Sequence, residues 1–175
     1  ANRSLAHEVI VYAESCAYDA LSGGQFHARW QSRYFEDHPR MSPAIAALLS
    51  QGDELRSDTV FLSLADREAV ITLRILLADS GVSVEQLRAG FKEAHFPPFT
   101  AAVARFVRSS HRIVSSTPET WLNVAQTLIE TDRPRLMIVE GLRFDCEVCR
   151  LANLPAAFDA IACAKAYRCA LLLFD

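Results

Sequence analysis

The segment that decides the fold spans residues 64–92 and reads LADREAVITLRILLADSGVSVEQLRAGFK. Apolar side chains recur in its first half at helical spacing, at Val70, Leu73, Leu76 and Leu77. Gly81 then supplies a turn, and Ser83 followed three residues later by Gln86 is the pattern of a helix N-terminal capping box. The segment therefore predicts two helices joined by a tight turn, a helix-turn-helix outline.

Helical spacing extends outward from this segment in both directions. Further helices are predicted at Ser4–Leu21, Gln25–Arg40, Ala44–Leu49, Phe99–Val114, Trp121–Thr131 and Leu151–Cys169. Only 6 Gly and 7 Pro occur, too few for the many turns of an all-β fold. The predicted fold is all-α, an irregular bundle of about seven helices in which Leu171–Phe174 forms a short C-terminal strand or the end of the last helix. A composition shift at Ser109–Thr117 divides it into domains 1–114 and 115–175.

Composition limits the classes of protein to consider. Apolar residues make up 51% of the chain and charged residues 22%, which predicts a buried core and argues against disorder. The net charge of −3 argues against a protein that coats nucleic acid by bulk charge. No signal-peptide pattern and no apolar run of about 18 residues is seen. These features predict a cytoplasmic protein without membrane contact.

The helix-turn-helix outline carries a DNA-binding hypothesis. A second helix beginning near Val84 would enter a major groove with Gln86 and Arg88 near base edges and Lys92 near a phosphate. A row of arginines, predicted one helical turn apart, would neutralise further phosphates: Arg105, Arg108 and Arg112. The alternative for both features is an ordinary bundle whose basic residues face solvent.

The pattern of reactive side chains predicts no catalytic site. No histidine pair has helical metal-ligand spacing, and neither a glycine-rich phosphate loop nor a Gly-x-Ser-x-Gly elbow occurs. Cys146 and Cys149 form a Cys-x-x-Cys pair that, with Cys163 and Cys169, would make a four-thiol zinc site, or alone a redox dithiol. Packing in a helical core is the remaining interpretation of these thiols. The prediction is a protein that is not an enzyme and holds no cofactor or metal.

The last third of the chain resembles a known family. The resemblance covers residues 117–175 and rests on Leu122–Ile129 (LNVAQTLI), the Asp132-Arg133 pair, Met137, Gly141, Leu151-Ala152 with Leu154, and the Phe174-Asp175 ending. In order and spacing these residues are similar to FlhD, a helical subunit that acts with FlhC to activate flagellar transcription. The resemblance implies a helical docking region.

That resemblance implies partner contacts and a function. The implied partner-binding residues are Trp121, Leu122, Ala125, Leu128, Ile129 and Cys169. They would contact a second copy of the chain, an FlhC-like subunit, or both, while the first domain contacts promoter DNA. The resulting hypothesis is a transcriptional activator. Two alternatives are an interaction adaptor or anti-activator without DNA contact, and a cysteine-dependent metal or redox protein.

Overall fold

A computed structural model describes residues 9–12, 42–51, 58–109, 111–143 and 147–174. The described elements alternate between strands and helices, which rules out the predicted all-α bundle. In chain order they are β1 (Val9–Tyr12), α1 (Pro43–Leu49), β2 (Thr59–Ser63), α2 (Glu68–Ser80), α3 (Val84–Arg88), a 3₁₀ turn (Glu93–His95), α4 (Phe96–Ser109), β3 (Arg112–Ser115), α5 (Trp121–Asp132), β4 (Leu136–Glu140), α6 (Glu147–Ala166) and β5 (Ala170–Phe174).

The five strands form one parallel sheet in the order β1-β5-β4-β2-β3. Three of them are continuous apolar runs, TVFLS in β2, LMIVE in β4 and ALLLF in β5, and every residue of the three is buried. Such runs are typical of parallel strands that helices cover on both faces. Their lack of alternation gives no strand period, so the sequence leaves Leu171–Phe174 open between a strand and the end of a helix and does not predict β2.

Alternate residues of the strands pack against two helical layers. Phe61, Ile138 and Leu172 share one cluster with Ile71 and Ile75 of α2, which also includes residues of α1. Their neighbours along the strands belong to a second cluster, with residues of α5 and α6, that contains Val60, Leu62, Met137, Val139, Leu171 and Leu173. The protein is therefore a three-layer α/β structure.

Helix positions were predicted better than helix faces. The two-helix outline is confirmed as local structure, because α2 ends at Gly81 with φ +71° and α3 begins with the Ser83–Gln86 capping box. The buried face of α2 differs from the prediction: Val70 and Leu73 are 43% and 38% exposed. Apolar residues surround most of α2, so its sequence specifies the buried side weakly.

Three further predictions change in the structure. Val9–Tyr12, predicted as part of a helix, is strand β1; the rest of Ser4–Leu21 lies outside the described residues. Of the predicted helix Phe99–Val114, Phe99–Ser109 is helical and makes up most of α4, whereas Arg112–Val114 belongs to strand β3. The division between domains 1–114 and 115–175 falls inside β3, and strands from both sides of it pair in one sheet.

Among the described residues, no helix combines the length and the apolar character that crossing a bilayer requires.

Candidate functional site

The sheet has a topological switch point between β2 and β4. The chain leaves β2 through α2 on one face to reach β3, whereas it leaves β4 through α6 on the other face to reach β5. The loops after these adjacent strands therefore diverge. In open parallel sheets, the resulting crevice at the carboxyl ends of the strands is where ligands bind.

Glu140, the last residue of β4, lies at this crevice and is 6% exposed. Arg74 of α2 donates hydrogen bonds from Nη2 to Glu140 Oε1 at 3.1 Å and from Nη1 to Oε2 at 3.3 Å. Arg74 Nη1 also donates to Asp66 Oδ2 at 2.7 Å. Ser42, just before α1, donates its hydroxyl to Glu140 Oε1. We call Ser42, Asp66, Arg74 and Glu140 the Glu140 network.

The Glu140 network satisfies a carboxylate that would otherwise be costly to bury. A guanidinium matches both carboxylate oxygens with two parallel N–H donors, and the hydroxyl of Ser42 supplies a third. Arg74 is thereby placed between two carboxylates, because Asp66 faces it from the β2–α2 loop. The charge of Glu140 is thus neutralised from within the protein.

The loops after β2 and β4 are in close contact beside this network. Ser63 accepts hydrogen bonds at Oγ from the backbone N–H of Ala65 at 3.4 Å and of Asp66 at 3.1 Å. Gly141 follows Glu140 with φ +90°, and a Cβ there would lie 3.1 Å from the backbone nitrogen of Ala65. Glycine is therefore required at 141 both by backbone conformation and by space.

A pocket of about 270 Å³ lies at the carboxyl ends of β2 and β3, and shares Asp66 with the Glu140 network. Its lining is Leu64, Ala65, Asp66, Arg67, Ser115, Ser116 and Thr117. Hydroxyl groups continue beyond it, since Thr120 Oγ1 lies 3.0 Å from Thr117 Oγ1 and 3.1 Å from Ser116 Oγ. Polar side chains therefore lie at the carboxyl edge of the sheet both between β4 and β2 and between β2 and β3.

The residues predicted to contact DNA lie on α3, shortly after α3, on α4 and on β3. Gln86, Arg88 and Lys92 are exposed, but Gln86 Oε1 accepts from the backbone N–H of Ser83 as part of the capping box. The helix α3 that carries the first two has only 5 residues. These side chains and the Glu140 network are on different elements.

The predicted arginine row is not one helical face. Arg105 lies on α4 and pairs with Asp79 of α2 at 2.9 Å, and Arg108 donates to the carbonyl of Ala104 in its own helix. Arg112 lies on β3, where it pairs with Asp132 at the end of α5. Two of the three guanidinium groups are thus bound to carboxylates of the same chain.

The residues predicted to bind a partner pack in the protein's own core. Trp121, Ala125, Leu128 and Ile129 are at most 6% exposed, because this face of α5 covers the sheet, and Leu122 packs partly buried against the same cluster. Cys169 is 2% exposed before β5. Burial raises the pKa of the Cys169 thiol to about 12, and burial also raises the pKa of the Cys163 thiol. Neither thiol is activated as a nucleophile.

Three of the four cysteines of the predicted four-thiol site lie among the described residues. Cys146 lies outside the described residues, whereas Cys149 and Cys163 are half-buried on α6. Within the described part of the chain, no three His, Cys, Asp or Glu side chains are grouped to hold a metal ion.

Sequence comparison gives no family: no protein-family model and no curated protein matches the chain. The fold does have solved counterparts. A DnaB-like replicative helicase, described with its interactions with primase, matches with TM-score 0.58 and 11% identity over 98% of this chain and 39% of the helicase chain. An ATPase domain matches with TM-score 0.60 and 13% identity over 98% of this chain and 57% of its own. This chain therefore corresponds to only part of either protein.

The fold is similar to that of this replicative helicase and of this ATPase domain. This finding overturns the interpretation of the chain as a transcriptional activator built from a helix-turn-helix in an all-α protein, because α2 and α3 belong to a crossover between parallel strands. The resemblance of residues 117–175 to FlhD is not addressed by these structures. The helical character that it implied does not extend to β4 and β5.

The fold raises the question of whether this chain's residues fit a nucleotide with Mg²⁺. P-loop ATPases hold the phosphates with a G-x-x-x-x-G-K-S/T loop after a strand and bind Mg²⁺ through that Ser/Thr and an acidic residue ending a second apolar strand. Glu140 lies where the acidic Mg²⁺ ligand of such an ATPase would be, at the end of the apolar strand LMIVE. However, residues 13–20 after β1 read AESCAYDA, no such loop occurs in the 175 residues, and Arg74 binds Glu140. The donor set does not fit.

The Glu140 network is not among the sites that the sequence predicts. A signal was present, since Glu140 directly follows the unbroken apolar run Leu136–Val139. An acidic residue at the carboxyl end of a buried parallel strand is a candidate site residue. Recognising it required the run to be assigned as a strand.

Proposed function

We propose that this chain is a non-hydrolysing domain of the helicase ATPase fold, which acts as a structural subunit and is not an enzyme. The observation that carries the proposal is the Arg74–Glu140 contact, in which a guanidinium bonds to both oxygens of the only carboxylate ending a described strand. The missing phosphate loop supports the same conclusion. A cytoplasmic location is part of the proposal.

The chemistry of the crevice explains why hydrolysis is not expected. Transfer of a phosphoryl group to water relies on positively charged groups and Mg²⁺ that stabilise the charge of the transferred group. The one guanidinium in the Glu140 network is already bound by Glu140 and by Asp66. Binding a phosphate there would break these contacts and leave the buried Glu140 without a cation.

An ATP-binding and hydrolysis experiment tests the proposal. The purified chain is titrated with a fluorescent ATP analogue, with and without Mg²⁺, and phosphate release from ATP is followed with and without single-stranded DNA. We expect neither saturable Mg²⁺-dependent binding nor release above the buffer rate. Two variants are measured beside the wild type. Glu140→Gln removes the carboxylate of the crevice, and Asp79→Asn is the matched control, because it removes a paired carboxylate elsewhere, the partner of Arg105.

Hydrolysis that depends on Mg²⁺, disappears in Glu140→Gln and persists in Asp79→Asn would overturn the proposal. Hydrolysis that is equal in all three proteins is assigned by gel filtration: activity that separates from the chain comes from a contaminating ATPase, whereas activity that co-elutes with the chain would also overturn the proposal. Far-UV circular dichroism on each variant shows that the fold is retained.

A further inference from the structure

Helix α6 carries a stripe of exposed apolar side chains. Val148, Leu151 and Phe158 are 78%, 66% and 47% exposed, and Pro155 between them is also exposed. Their spacing along the helix is three, four and three residues, which places them on one side. This is the spacing by which one helix packs lengthwise against another. We call these four residues the α6 stripe.

The opposite side of α6 packs against the protein's own core. Ala157, Ala160 and Ala164 are 0% exposed and belong to the core cluster with α5 and the sheet. The α6 stripe therefore faces away from the sheet, on a helix of 20 residues, about 30 Å long. Large apolar side chains grouped on an outer helix indicate a surface that another molecule covers.

The charges at the two ends of α6 indicate which molecule that is. Glu147 begins the helix and Lys165 lies in its last turn, so the two ends carry opposite charges. If two copies of α6 pack antiparallel, with Pro155 at the centre, Leu151 of one copy lies opposite Phe158 of the partner subunit. The same arrangement brings Glu147 within two residues, about 3 Å along the axis, of Lys165 of the partner subunit, and it opposes the two helix dipoles.

We propose that two copies of this chain form a symmetric dimer through the α6 stripe, with the helices antiparallel. A two-fold contact uses the same patch on both copies, so the patch must complement itself. The α6 stripe does so both in its apolar residues and in its terminal charges. This assignment is independent of whether the crevice binds a nucleotide, because no residue of the Glu140 network lies on α6.

The molar mass in solution tests the proposal. Sedimentation equilibrium on the full chain, from about 1 to 200 μM to cover the micromolar affinities of modest interfaces, should show a reversible dimer. Leu151→Asp places a charge in the stripe and should give a monomer with an unchanged circular dichroism spectrum. Val107→Asp is the matched control, because Val107 is an apolar residue 70% exposed on α4, and it should remain dimeric.

Charge reversal tests the antiparallel arrangement. Glu147→Lys should weaken the dimer at least about threefold, and adding Lys165→Glu in the same chain should restore the affinity, since the opposed charges then attract again. A wild-type protein that stays monomeric throughout the range overturns the proposal, as does a dimer that Leu151→Asp leaves intact. Failure of the double charge reversal to restore the affinity overturns the antiparallel arrangement.

Discussion

Arg74 and Glu140 are 66 positions apart in the chain, and the guanidinium of the first donates to both carboxylate oxygens of the second, at 3.1 and 3.3 Å. The contact joins α2 to the end of β4 at the point where the chain connections diverge. Glu140 is nearly inaccessible to solvent there, whereas Arg74 retains partial exposure. The contact thus sets both the charge of the crevice and the position of α2 over the sheet.

We expect Arg74→Ala to lower the free energy of unfolding by about 2 kcal/mol. Fully buried pairs lose about 3–5 kcal/mol when one partner is removed, and the partial exposure of Arg74 reduces that value. The double variant Arg74→Ala, Glu140→Gln should lose less than the sum of the two single changes by about 1 kcal/mol or more. Urea denaturation of the four proteins measures this coupling.

The pair Arg105–Asp79 serves as the control for that cycle. Arg105 is 41% exposed at its side chain, so its coupling with Asp79 should be at most about 1 kcal/mol. If the Arg74–Glu140 coupling proves no larger than this, Glu140 does not depend on Arg74 for its burial.

Replacing Gly141 by alanine should destabilise the protein more than replacing Gly81. Both glycines have positive φ, +90° and +71°, so each variant pays roughly 1 kcal/mol for the left-handed conformation. Around Gly81 nothing lies within 4 Å of an added Cβ, whereas at Gly141 the Cβ would lie 3.1 Å from the backbone of Ala65. We expect an additional loss of about 1 kcal/mol or more for Gly141→Ala, measured by urea denaturation. Equal losses of unfolding free energy in the two variants would show that the β2–α2 loop shifts to accommodate the added Cβ without strain.

Truncating Ile129 tests whether the face of α5 that carries Ile129 belongs to the protein's own core. The side chain is 0% exposed among residues of the sheet and α6, so Ile129→Ala should lower the unfolding free energy by about 2–5 kcal/mol. Val107→Ala, at an apolar site 70% exposed, should change it by no more than about 0.5 kcal/mol. A near-neutral Ile129→Ala with weakened association would instead support the docking surface that the FlhD resemblance implied.

Cys169 gives the protein an alkaline dependence of stability. Its pKa is about 12 in the folded protein against an ordinary 9.0, because the thiol is buried. Between these values the unfolded chain releases the proton while the folded protein retains it. The stabilisation is therefore complete below pH 9 and declines as pH rises towards 12, by at most about 1.4 kcal/mol per pH unit.

The comparison of wild type with Cys169→Ala isolates this effect. Urea denaturation at several values between about pH 7.5 and 10 measures the stability difference between the two proteins, and other titrating groups contribute equally to both. We expect the advantage of the wild type to shrink over this range. A constant difference would mean that Cys169 is accessible to water in the folded state.

Local signals in the sequence located several helices, but not the fold. The Ser83–Gln86 capping box and the Gly81 stop are local features, and the structure contains both. The strands were harder to recognise because TVFLS, LMIVE and ALLLF are buried on both faces, and such runs have no period of two. Length distinguishes them from helices, since each has 5 residues.

The candidate site could be predicted only in part for the same reason. Glu140 is recognisable once Leu136–Val139 is assigned as a strand. Arg74 and Asp66 are not, because their convergence on Glu140 depends on how α2 lies over the sheet, and α2 is apolar on too many sides to specify that orientation from sequence. Long-range geometry of this kind is set by the tertiary packing.

The position of β5 has a consequence for how the chain acquires its structure during synthesis. Residues 170–174 lie between β4 and β1, so β1, made first, meets its hydrogen-bonded neighbour only after the ribosome has added some 160 further residues. Until then β4 presents an open edge of Leu, Met, Ile and Val. Nascent chains halted before residue 170 should be captured by chaperones that bind extended apolar segments.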